Sequence, residues 1–359
     1  MFRSPPRASG YLHTSYGADL ALLQTRTERV SLAFFAAILA AFPFLASPFA
    51  LDLACQVFLA SIGALSLMLL TGYAGQISLG HAGLLAAGAF TTGILAREIA
   101  APFWITLPAS AVTGIVLGFV FGLPSLRLRG LYLAVSTLAL HFVVIYLGGE
   151  YETKRGFSTG IVIEPPSLAG IKLGGRGWYF VLLLAAVAAL LICVNLLRSR
   201  SGRAWRAIHV RETVAEALGI GIARYKLLAF VISSSMTSVA GCLFAYYRGF
   251  VSVEAFDLFV AIQYVAMIII GGMGSLLGAL LGAMFVTVFP YLIEALLRLL
   301  PNAQKLAGDI FAVNYAAFGV VMILFLVFEP LGLVGIWRRL QSYFLLWPFR
   351  YKPLAGARK

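Results

Sequence analysis

Apolar and polar residues come in long blocks along this chain, not in residue-by-residue alternation. Ten mostly apolar runs, at 31–50, 53–71, 76–96, 103–123, 130–149, 178–197, 227–247, 257–272, 277–297 and 311–331, are separated by short polar or basic stretches. A helix crossing a bilayer needs roughly 20 consecutive apolar residues. The pattern therefore predicts an all-α polytopic membrane protein with about ten transmembrane helices. Run 76–96 is rich in glycine and run 257–272 is short, so each is open to being a full, a broken or a re-entrant span. The layout reads as an N-terminal tail at 1–30, a membrane domain at 31–335 and a basic C-terminal tail at 336–359.

Composition and charge sharpen this picture. Of 359 residues, 61% are hydrophobic and only 11% charged, against about 25% charged in soluble domains. With the N-terminus placed inside, 19 of the 27 Lys and Arg residues fall in inside segments. Basic loops resist translocation, so both termini are expected in the cytoplasm. The net charge of +13 then reads as an orientation signal in a protein whose partner is the lipid bilayer, and nucleic acid is not expected. The longest outward loop, 150–177, is a lid, a landing surface for an external protein or a plain connector.

The stretch Arg198–Lys226 stands out between two apolar runs. It carries Arg198, Arg200, Arg203, Arg206, Arg211, Arg224 and Lys226 against Glu212 and Glu216. Ser201 is a candidate N-cap and Gly219 a candidate left-handed terminator, which predicts one amphipathic cytoplasmic helix over 201–218. At ~100° per residue, Ala207, Val210, Val214, Ala217 and Leu218 share one side with Ala204, Ile208 and Ala215, and Arg203 and Arg211 intrude on it. Arg206, His209, Glu212, Thr213 and Glu216 share the other, with Trp205 among them. A Trp on the polar side, amid acidic residues, differs from a membrane-surface helix and suits an anchor in a protein groove. The segment is either a coupling helix seated on a partner or a loop helix packed on its own bundle.

Motifs for independent chemistry are absent. There is no G-x-x-x-x-G-K-[ST] phosphate loop, no H-E-x-x-H, no C-x-x-C and no G-x-S-x-G. Cys55, Cys193 and Cys242 have no metal-ligand spacing and read as small packing residues; no metal site is expected. Carboxylates within the spans are few, which disfavours proton coupling. Neutral polar residues do occur there. Gln76, Ser78, His81 and Thr91 lie in one run, Ser136, Thr137 and His141 in another, and Gln263 in a third. Gln76, Ser78, His81, Thr91, Ser136, Thr137 and Gln263 are candidates to line a solute path, or to form interhelical hydrogen bonds. Two glycine-rich stretches, Gly72–Phe90 and Gly271–Phe285, each follow an apolar run and suggest a parallel repeat or close helix packing.

Four of these stretches carry a family resemblance. Residues 71–82 (TGYAGQISLGHA), 126–138 (LRLRGLYLAVSTL), 202–230 (GRAWRAIHVRETVAEALGIGIARYKLLAF) and 271–282 (GGMGSLLGALLG) occur in order. Together they resemble permease subunits of ATP-driven branched-chain amino acid importers, and more closely the longer of the two permeases. The importer consensus E-A-A-x-x-x-G is not met literally. Gly219 fits its glycine, but Thr213 stands where an alanine is expected.

The resemblance implies a second permease subunit, two cytoplasmic ATPase subunits, an external solute-binding protein and a bacterial inner-membrane location. The chain itself would be no enzyme and hold no cofactor; ATP and Mg would be bound by the ATPases. Coupling to them would fall to Trp205, Arg206, His209, Glu212, Glu216 and Gly219. The substrate would be a branched-chain amino acid, or alternatively urea, a short amide or an aromatic acid. The competing class is a self-sufficient secondary transporter.

Overall fold

The computed structural model describes residues 26–128, 130–156, 160–164, 167–168, 171–172, 174–298, 310–329 and 331–346. Helices form at all the apolar runs: α1 (Arg26–Leu45), α2 (Pro48–Leu67), α3 (His81–Glu98), α4 (Phe103–Ser125), α5 (Leu131–Arg155) and α6 (Gly175–Arg198) in the first half. Two short helices follow, α7 (Arg200–Val210) and α8 (Glu212–Ala217). Then come α9 (Ile222–Arg248), α10 (Leu258–Gly271), α11 (Leu276–Arg298), α12 (Ile310–Phe328) and α13 (Gly332–Leu346). Among the described residues, β-structure is limited to two-residue ladders. β1 (Ile161–Val162) pairs antiparallel with β4 (Phe250–Val251), and β2 (Ser167–Leu168) with β3 (Ile171–Lys172).

The protein is an all-α polytopic membrane protein, but the number of clear spans falls short of ten. Seven described helices are long and apolar enough to cross a membrane, or eight if the bent pair α12–α13 counts as one span. The described apolar part of α1, Arg29–Leu45, is shorter than a span. The helix of the glycine-rich run 76–96 is not among those seven either. α2 ends in a π-helical turn, Met68–Tyr73, the chain then runs without helix through 75–80, and α3 begins only at His81. The loop expected at 150–177 is also shorter, because α5 continues to Arg155 before Gly156 ends it at φ +69°.

Helix starts and packing follow from local chemistry. Ser47 accepts a hydrogen bond from the Ala50 N–H at 3.3 Å, and Pro48 occupies the first turn of α2, where its missing N–H costs nothing. α9 runs through the core against both α3 and α4. Its backbone touches α3 at two glycines: a Cβ on Gly88 would collide with the Ser238 carbonyl, and one on Gly241 with the Leu85 carbonyl. Small residues are what allow such approach in lipid, where packing rather than hydrophobicity holds helices together. Gly271, Gly278 and Gly282 do the same between α10 and α11. Cys55, Cys193 and Cys242 are buried free thiols.

Several turns meet at one end of the bundle. Gly274 N–H points at Met68 Sδ at 3.2 Å, Gly272 lies under the Leu331 carbonyl that leads into α13, and Gly75 lies under His209 of α7. At the far end of α3, Glu98 accepts from Tyr151 Oη at 2.7 Å and pairs with Arg155 at 2.9 Å.

Candidate functional site

The end of the bundle where α7 and α8 sit collects most of the residues expected to couple. The 201–218 helix is not continuous. Arg211 adopts an extended conformation (φ −157°, ψ 113°) and divides it into α7 and α8. The break falls where β-branched Val210, Thr213 and Val214 weaken helix propensity. Glu212 opens the new helix with a negative charge at its positive end. Ser199, not Ser201, precedes α7. Gly219 does end α8 at φ +80°. There Ile220 N–H bonds to Ala215 O at 3.0 Å and Gly219 N–H to Glu216 O at 2.9 Å, the paired bonds of a Schellman cap.

The structure splits the helical-wheel assignment of faces. Trp205 does not point outward: it is fully buried, and its Nε1 donates to Tyr225 O at 2.8 Å. Ala204, Ile208 and Ala215 are buried with it. Those three were expected inward, but other apolar residues of the same assigned side do the opposite. Val210 is 75% exposed, Val214 50% and Leu218 74%, among exposed His209, Arg211, Thr213, Glu216 and Ala217. Trp205 and Val210 both precede Arg211, so their placement follows from which face of α7 packs on the bundle: the side of Ala204, Trp205 and Ile208. Trp205 and Glu216 therefore do not share a surface.

Lys226, Arg206 and His209 tie this segment to the broken helix and its neighbours. Gln76 is buried, and its Nε2 donates to Lys226 O at 2.9 Å, while its own carbonyl accepts from Thr71 Oγ1 at 2.9 Å. Lys226 Nζ pairs with Glu212 at 2.5 Å in a mostly buried setting. The Arg206 guanidinium donates to Leu197 O at 3.2 Å and lies 5.9 Å from the Tyr73 ring centre. Gly75 holds φ +72°, which favours glycine, and a Cβ there would come within 2.8 Å of His209 Nδ1. A recess of about 280 Å³ opens between Ala74–Gly75 and Ile208–Glu212.

A second polar group lies deeper. His81 Nε2 is 2.8 Å from Ser66 Oγ, 2.9 Å from Thr237 Oγ1 and 3.0 Å from Gly63 O. Ser66 and Thr237 are 2.8 Å apart, and Ser233 Oγ donates to Ser66 O at 2.8 Å. The knot fastens α2, α3 and α9 together. Gly63 O can only accept, so its bond from the ring needs the proton on Nε2.

The expected path residues divide. Gln76, Ser78, His81 and Thr137 are buried around the helix break, and Thr137 Oγ1 caps it by accepting from Leu79 N–H at 3.0 Å. Thr91 is half-buried and donates to Ala87 O at 2.7 Å. Ser136 and Gln263 are half-buried on α5 and α10. The sequence reading missed Ser66, Ser233 and Thr237. The signal for the last two was present in α9, where Ser233, Ser234, Thr237, Ser238 and Gly241 recur at helical spacing and all are buried.

Comparison with known proteins gives the family. A family model described as "Branched-chain amino acid transport system / permease component" matches residues 49–327. The high-affinity branched-chain amino acid transport system permease protein LivM of Salmonella typhimurium is 31% identical over 84% of this chain and 73% of its own length. LivM of Escherichia coli K12 is 31% identical over 83% of this chain and 73% of its own. A probable LivM of Methanocaldococcus jannaschii is 27% identical over 63% and 66%. No solved structure matches. On the match across most of its length, this chain belongs to the family of permease components of branched-chain amino acid transport systems.

Proposed function

We propose that this chain is a transmembrane subunit of an ATP-driven importer and translocates branched-chain amino acids handed over by an external binding protein. It works beside a second permease subunit and above two ATPase subunits, which bind ATP and Mg. It resides in the inner membrane of a bacterium, with ten membrane segments and both termini inside. The names of its relatives support the substrate, and the excess of basic residues in the inside segments supports the orientation.

One observation carries the coupling role: α7–α8 is rooted in the bundle by Trp205, Ile208 and Ala215 while Val210, Val214 and Leu218 stand exposed. Burying one Leu or Val side chain is worth about 1.5–3 kcal/mol, so three of them make an adequate seat for an ATPase groove. Arg211 and Glu216 at its edge would set the register. The solute cannot drive its own uphill import, because a ligand shifts an equilibrium only by its differential affinity for the two states. The ATPases must supply that bias, and α7–α8 is where they would apply it. Gln76 and Lys226 would then pass the movement to the break between α2 and α3, so the polar residues of that break change exposure in step with ATP binding.

Uptake of labelled leucine by vesicles tests the reading. Vesicles with the complete importer should accumulate leucine only with ATP inside and binding protein outside. Accumulation by this chain alone, under a proton or sodium gradient, would overturn it.

A further inference from the structure

We propose that α13 lies along the headgroup layer of the membrane and binds anionic lipid. The preceding helix α12 has 19 residues, about 28 Å at 1.5 Å per residue, which nearly spans a hydrocarbon core of about 30 Å. α13 departs from it at 51°. Its first turn is pinned: Gly332, at φ +64°, sits against Ile270 O and Gly272, and Val334 is buried. It thus emerges at the end of the bundle that carries α7 and α8.

Beyond that turn the helix is two-sided. At ~100° per residue, Ile336, Trp337 and Leu340 share one face, and they are 39%, 51% and 49% exposed. Arg338, Arg339 and Ser342 fall opposite. No acidic residue occurs from Gly332 to the last residue of the sequence, while Arg350, Lys352, Arg358 and Lys359 follow. Trp on the apolar face, Arg on the other and no acid is the pattern of a helix lying in an interface. The exposed face of α7–α8 differs, with Glu216 within it and its Trp buried. Arg339 still exposes 70% of its side chain while pairing with Glu329 at 2.9 Å, and Arg338 is exposed. Charge complementarity therefore favours a negative headgroup layer over a neutral one.

The test uses the full chain in lipid nanodiscs of phosphatidylcholine, with or without one-third phosphatidylglycerol. A nitroxide on L340C should be reached by oxygen and shielded from a water-soluble nickel complex; the three native cysteines are buried. Lipid carried through extraction should be enriched in phosphatidylglycerol. R338Q/R339Q should lower that preference by roughly five- to thirtyfold at low salt: each basic residue at an anionic surface is worth about fivefold, and the pairing of Arg339 discounts its share. R338K/R339K should keep it. A water-exposed label in both nanodiscs, or equal enrichment in the Gln and wild-type chains, would overturn the proposal. So would a label at 340 that, in the assembled importer, is shielded from lipid and cross-links to a protein subunit. If the Gln variant fails to accumulate, the depth of the label in the otherwise unaltered chain decides alone.

Discussion

Trp205 Nε1 donates a 2.8 Å hydrogen bond to the carbonyl oxygen of Tyr225, joining the middle of α7 to the first turn of α9. The indole is fully buried, so Trp205 holds the coupling segment to its own bundle and offers nothing to a partner. Trp205→Ala should cost about 3–5 kcal/mol through cavity and lost packing. Trp205→Phe should cost about 1 kcal/mol, from the donor alone. Membrane abundance and the midpoint of thermal unfolding in detergent check this. An Ala variant of normal abundance that merely fails to recover the ATPases would restore the partner-anchor view.

Gln76 makes the corresponding tie from the helix break to Lys226 O. Gln76→Ala should leave the fold intact, at a cost of about 1 kcal/mol, but loosen the link between segment and break. Leucine uptake per ATP hydrolysed should fall about fivefold while ATPase recovery stays normal. An unchanged ratio of uptake to hydrolysis would remove Gln76 from the coupling route.

Lys226 and Glu212 form the least exposed of the ion pairs among the described residues. Breaking a buried pair from one side strands a charge, whereas removing both partners together costs much less. Glu212→Gln and Lys226→Met should each destabilise the chain by about 1–3 kcal/mol, and the double variant by less than their sum. Additive losses in a double-mutant cycle of unfolding midpoints would show that the pair contributes no coupling energy.

Glycine positions separate close packing from mere occurrence. A Cβ on Gly88 meets backbone of α9, whereas one on Gly319 in α12 meets nothing within 4 Å. Gly88→Ala should cost about 1–3 kcal/mol by forcing α3 and α9 apart. Gly319→Ala should be neutral or slightly stabilising, since Ala is the better helix former by up to about 1 kcal/mol. Folded yield after extraction measures both, and equal yields would contradict the packing described for α3 and α9.

Much of this architecture was legible from hydropathy alone, because a span is a one-dimensional requirement. Every apolar run became helix, and Gly219 took the left-handed conformation its position called for. The faces of the coupling segment were only partly legible: Ala204, Ile208 and Ala215 went inward as expected. Residues 201–218 contain no Pro, and the only Gly, Gly202, sits in the first turn, so only the weak signal of β-branched Val210, Thr213 and Val214 marked the break at Arg211. What the wheel could not show is which sector packs on the bundle: Trp205 is buried beside Ile208, while Val210, Val214 and Leu218 are exposed. The His81 knot was half legible. His81 stood out as a polar residue in an apolar run, but Ser66 and Thr237 reach it from 15 and 156 residues away. Only the packing of α2 and α9 against α3 brings them together.

The exposed face of α7–α8 as the seat of the ATPase can be measured directly. A single V214C in the assembled importer should react slowly with a water-soluble maleimide, cross-link to an ATPase subunit, and react rapidly once the ATPases are stripped away. Equal reactivity with and without the ATPases, or cross-linking only to the second permease, would contradict the coupling role given to this segment.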